Sequence, residues 1–195
     1  MTRKPGLLRN TEGATIVEFG LLAPTLLIML LGMFEMGYNY YMQSLLQGSI
    51  QQAARDSTIE GSYTVQSTID ANVTAAVHDI VPDATVSFDR ASYANFQDVR
   101  QPEDFTDVNN DGSCNDGEPF EDANGNGLWD ADRGSTGQGG ARDAVLYKVT
   151  VSYPRAFGVH KLIGLSDTFT TSASTVLRNQ PYDSQNITVT VGNCL

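Results

Sequence analysis

The chain has 195 residues, 41% of them apolar, with a formal charge of −11, and that length allows one membrane segment and one domain of ordinary size. The charge is uneven: Arg3, Lys4 and Arg9 make the start basic, whereas residues 101–132 carry ten acids and no Lys or Arg. So acidic a chain excludes nucleic acid as a partner, because phosphate binding needs clustered Lys and Arg.

After the basic start comes Gly13-Ala-Thr-Ile-Val-Glu18-Phe19 and an apolar run to Phe34. From Ala14 to Phe34 the only charge is Glu18. At helical rise these residues cover roughly 30 Å, the thickness of a bilayer core. A basic flank ahead of such a run predicts a cytoplasmic N-terminus, with the bulk of the chain across the membrane in the periplasm or beyond. A cleaved secretory signal would end in small residues after its apolar core. Here the run leads instead into Gly32-Met-Phe-Glu-Met-Gly37, so it is expected to be retained.

An ionisable group in a membrane segment is costly and calls for a partner. If the chain is cut between Gly13 and Ala14, Glu18 becomes the fifth residue, one helical turn from a free ammonium. In staggered helices the carboxylate of one subunit then pairs with the ammonium of the next, neutralising both where water is scarce. A basic leader, Gly at the cut, Glu five residues on and an apolar helix make a type IV pilin-like signal. The plainer alternative is a capping box, Thr15-Ile-Val-Glu18, at the start of an ordinary anchor.

The run Glu12-Gly-Ala-Thr-Ile-Val-Glu-Phe-Gly-Leu-Leu-Ala-Pro24, followed by a Leu-rich stretch, Gly32, Glu35 and Gly37, resembles the TadE-like family over about residues 10–45. That family is pilin-like and serves the tight-adherence (Tad, or Flp) pilus machinery of bacteria. The resemblance implies cutting by a prepilin peptidase, contacts with other pilin-like subunits and pilus assembly proteins, and a minor-pilin or assembly role at the cytoplasmic membrane.

Beyond Phe34 the pattern turns amphipathic. Tyr38, Tyr41, Met42, Leu45, Leu46, Ile50, Ala53 and Ala54 recur at helical spacing, so the helix is expected to reach about Thr58. A second helix is expected from Thr64 to Ile80, ended by Pro82. Alternation predicts strands at Ala84–Asp89, Ala144–Tyr153, Phe169–Leu177 and Ile187–Val191, with Gly134–Gly140 as a linker. The expected class is α+β: a long membrane-spanning helix continuing into a small antiparallel-sheet domain with an acidic insertion. The divisions are a leader at 1–13, the transmembrane and amphipathic helix at 14–60, and a periplasmic domain at 61–195 with its insertion at about 104–133.

The insertion has the spacing of a calcium loop. Asp107, Asn109, Asp111, Ser113, Asn115 and Glu118 fall at positions 1, 3, 5, 7, 9 and 12, and Gly112 takes the turn at position 6. A second copy offers Asp122, Asn124, Asn126, the Leu128 carbonyl and Asp130, with Gly127 at the turn. Its position 12 is Arg133, with Asp132 the nearest substitute for the missing closing acid. Only three residues part the loops, too few for EF-hand helices; the pair is similar to the tandem loops of dockerin-type or thrombospondin type 3 modules. Calcium is the cofactor this predicts, at an affinity on the order of 10⁻⁴ to 10⁻³ M. A solvated acidic turn is the alternative. Cys114 and Cys194 can bridge outside the cytoplasm or stay as two thiols.

His78 and His160 are isolated, and no nucleophile–base arrangement appears, so an enzyme is not expected. The reading that competes with a pilin-like subunit is an unprocessed, membrane-anchored calcium-binding adhesion or sensor protein.

Overall fold

The computed structural model describes residues 12–59, 63–180, 184–185 and 187–195. Of the expected leader, residues 1–11 lie outside the described residues, as does the helix–domain boundary at 60–62. The chain divides into two compact units, one of residues 1–42 with Pro154–Phe169, the other of Gln43–Tyr153 with Thr170–Leu195.

Helix α1 runs from Glu12 to Ile59 and is continuous through Pro24. Its first half has apolar side chains on every side, so nothing in the sequence marks an inner face. Its second half is one-sided, and there Leu46, Ile50 and Ala53 are buried. The helix is already formed at Glu12, so Thr15 lies inside it rather than at a cap. That position overturns the capping-box reading of Thr15 and Glu18, since a cap residue must stand outside the helical turn.

In the second unit, α2 (Tyr63–His78) buries Ile69, Val73 and Val77 at helical spacing. The main sheet has β1 (Thr85–Tyr93), β3 (Ser135–Thr136), β4 (Ala144–Pro154) and β5 (Thr168–Arg178) in the order β3-β1-β4-β5. Strands β1 and β4 pair antiparallel from Thr85↔Ser152 to Tyr93↔Ala144. Val145, Tyr147, Val149, Val151 and Tyr153 of β4 are all buried, as their alternation predicts.

β1 extends four residues beyond its expected end because Arg90 can stand on the core face. Its guanidinium donates to both Asp70 oxygens, at 2.7 and 3.1 Å, and lies 4.5 Å from the ring centre of Tyr147. The Tyr147 hydroxyl donates to the same Asp70 at 2.8 Å. One carboxylate on α2 thus ties that helix to two strands. Burial, and then this bond to Asp70, push the Tyr147 phenol above its ordinary range.

Two short strands differ from expectation. Ser135–Thr136 pairs with β1 instead of being plain linker. β2 (Pro119–Asp122), expected only to separate two loops, pairs with β6 (Thr190–Asn193) in a separate two-stranded sheet. The last strand therefore starts three residues and ends two residues later than the alternation suggested. Gly192 sets that register: it faces Phe120, whose buried ring occupies the place a Cβ would need.

In the first unit, α3 (Val159–Leu162) is a single turn. His160, expected to have no partner, is buried there between the Phe157 carbonyl (2.8 Å) and the Asp167 carboxylate (2.9 Å).

Candidate functional site

Among the described residues one helix, Thr15–Arg55, is long and apolar enough to cross a membrane, and its most apolar stretch is not buried. Ile16, Phe19, Leu21, Leu22, Leu26, Leu27, Met29 and Met33 are all exposed. Glu18 is exposed on this helix, and its side chain forms no ion pair among the described residues. Gly13 and Ala14 both lie within α1.

The acidic loops fold as two copies of one pattern, fifteen residues apart. Asp107 accepts from the backbone N–H of Asp111 (3.2 Å) and Gly112 (2.9 Å); Asp122 accepts from Asn126 (3.2 Å) and Gly127 (2.8 Å). Asn109 Oδ1 accepts from the N–H of Asp111, and Asn124 Oδ1 from that of Asn126. Asp111 accepts from Ser113 N–H, and Asn126 from Leu128 N–H. Gly112 and Gly127 both have φ near +80° (77° and 81°), which the sharp turn demands and a side chain resists. The side-chain amides of Asn109 and Asn115 both donate to Asp111, and those of Asn124 and Asn126 both donate to Asp130. Hydrogen bonds from the Asn115 amide and the Ser113 N–H hold the exposed Asp111 carboxyl below its usual range.

The closing acids complete the parallel. Glu118 is buried and accepts from the N–H of Val108 (2.6 Å) and Asn115 (3.4 Å). In the second loop the equivalent N–H groups are those of Ala123 and Asp130. They donate to Glu103, at 2.8 and 3.0 Å. Glu103 is 1% exposed and is not among the residues that the loop's own spacing predicts. The signal was present, because Glu103 precedes Glu118 by the same fifteen residues that part the two loops. Asp132, the expected substitute, instead accepts from the Tyr93 hydroxyl at 3.1 Å. Burial and then Asp132 push that phenol up to about 12. Arg133 turns away to the Pro102 carbonyl and to Asp104.

A small core supports the loops. Phe105 meets Trp129 edge-on with ring centres 5.8 Å apart, and the Trp129 indole N–H donates to the Glu103 carbonyl. Cys114 and Cys194 are bridged, with Cα atoms 5.3 Å apart, and Gly117 N–H donates to the Cys194 carbonyl. The donor set is hard oxygen throughout, which suits calcium and not a soft metal. Asn and backbone groups separate the acids, and no three His, Cys, Asp or Glu side chains gather as a metal cluster among the described residues.

These features define a class: a chain with an N-terminal helix apolar enough to cross a membrane, followed by an α+β body that carries a paired acidic loop. Residues 13–55 match the family model for TadE-like protein. The match covers Gly13, Glu18, Pro24, Glu35 and Gly37, so the resemblance drawn from those residues holds over this segment. No curated protein and no solved structure matches the chain.

Proposed function

We propose that this protein is a pilin-like minor subunit or assembly factor of a bacterial tight-adherence pilus, cut between Gly13 and Ala14 by a prepilin peptidase. The observation that carries the reading is the TadE-like match over a helix whose one charge between Ala14 and Phe34 is Glu18. An exposed carboxylate on a lipid-facing helix has a use once a neighbouring subunit brings an ammonium to it. The basic flank supports a cytoplasmic N-terminus and a periplasmic body. The role is structural, in keeping with TadE-like pilus proteins, and the partners are other pilin-like subunits.

Calcium belongs to this proposal as an ordering ion. Asp107, Asn109, Asp111, Ser113, Asn115 and Glu118 would hold one ion. Asp122, Asn124, Asn126, the Leu128 carbonyl, Asp130 and Glu103 would hold the second. The ion supplies positive charge among crowded carboxylates, and the chain's part is to hold those oxygens in place through the loop N–H groups.

The assembly role is tested by complementing a deletion strain with Glu18→Ala. The expected result is normal membrane level and cutting, with pili reduced to the level of the deletion. Full piliation by this variant would remove Glu18 from assembly.

A further inference from the structure

We propose that the segment Pro154–Phe169 inserts into the bilayer interface at the Phe34 end of the membrane span, as a second, shallow contact with lipid. The inference rests on the reading of α1 as a membrane helix. The segment belongs to the same compact unit as residues 1–42. It is fixed to α1 at one level: Arg155 donates to Glu35 at 2.6 Å, and the Phe157 ring lies 6.3 Å from that of Phe34. Phe34 closes the apolar run, so this level is where the hydrocarbon core gives way to headgroups.

Leu162, Ile163 and Leu165 of this segment are 70, 62 and 51% exposed. Three large apolar side chains within four residues make a patch that soluble surfaces rarely carry. The backbone turns beneath them. Leu165 N–H and Ile163 N–H both donate to the His160 carbonyl, and Gly164 takes φ +71° to allow it. His160 is itself buried between Phe157 and Asp167, and Arg155 binds the carbonyls of Ser166 and Asp167. Polar groups satisfied inside and apolar side chains outside suit a headgroup–acyl boundary. Lys161, exposed next to Leu162, can reach lipid phosphates while its stem stays in the apolar layer. On α1 the exposed Tyr40 and Tyr41 follow one to two turns beyond Phe34, where amphipathic rings favour the interface. Continuity with the membrane helix selects lipid over a soluble partner as the occupant.

The test uses the full chain in vesicles of phosphatidylethanolamine and phosphatidylglycerol, with a nitroxide on a single introduced thiol. The native cysteines are bridged and do not compete for the label. Ile163→Cys reports the proposal, Leu27→Cys the membrane span, and Ser87→Cys, exposed on β1, the aqueous reference. Oxygen concentrates in lipid and a nickel chelate in water. The expected result is an oxygen-to-nickel accessibility ratio at 163 several-fold above that at 87 and below that at 27. A ratio at 163 equal to that at 87, with 27 in lipid, overturns the proposal and leaves the span intact. Loss of access to both reagents at 163 means a protein neighbour covers it, and also overturns the proposal. A water-like ratio at 27 overturns the membrane reading, and this inference with it.

Discussion

Glu103 closes the second acidic loop from upstream, nineteen residues before Asp122. Its two acceptor oxygens face two backbone N–H groups in a buried place. Glu103→Gln turns one oxygen into a donor facing a donor, a mismatch that costs about 1–3 kcal/mol. It also removes the charge a second calcium ion needs. Calcium titration of the full chain is expected to find two sites, and Glu103→Gln is expected to lose one and keep the other. Unchanged binding would remove Glu103 from the site. Calcium at 100 times its dissociation constant adds about 2.7 kcal/mol of stability per site, so chelator should lower the melting temperature. Position 12 of the second loop is Arg133 and its closing acid comes from upstream, which is why Glu103 is not legible from the loop's own spacing. The buried phenols give a second prediction. Tyr93 is raised to about 12 and Tyr147 is raised as well. A raised phenol favours the folded state fully below the unfolded value near 10, and that contribution fades as pH climbs toward the folded value. Urea stability, read as the denaturation midpoint, is therefore expected to hold up to about pH 10 and to fall between about 10 and 12; a midpoint unchanged across that interval would contradict it.

At the scale of elements, legibility followed the strength of the apolar pattern. β4 was plain because five alternate positions are large, apolar and buried together. β1 was cut short because Arg90 breaks the pattern, and only the fold reveals that Asp70 and Tyr147 receive it. β2 and β3 have four and two residues, too few to alternate visibly, and exist through their partners. The loops themselves were legible down to their turns because Gly112 and Gly127 are constrained by backbone geometry rather than by distant contacts. β2, β6 and the Cys114–Cys194 bridge form one device that pins the chain's last residues to the first loop. The bridge closes a separation of 80 residues, worth about 4.5 kcal/mol in the chain-entropy account. Reduction is expected to lower the urea midpoint and to speed hydrogen exchange of the amides in β6, while β1 and β4 stay protected. Protection of β6 unchanged by reduction would show that the strand pairing alone holds it.

For the whole molecule, the helix apolar enough to cross a membrane and the TadE-like match concern residues 13–55, and the remainder carries the sheet and the paired loop. That first part is legible in the sequence because an apolar run of this length is recognised without knowing its partners. The Pro154–Phe169 segment has no such pattern of its own, because its meaning depends on Glu35 and Phe34, about 120 residues earlier. The central claim is that this helix enters a pilus system as a processed subunit, which makes Glu18 the fifth residue of the mature chain. The intact mass and N-terminal residue of the protein from its native membrane test that claim most directly. The account predicts an N-terminus at Ala14, with the mass of residues 14–195. A chain that keeps residues upstream of Ala14, in cells with an active prepilin peptidase, would contradict it and leave an anchored protein with a paired acidic loop.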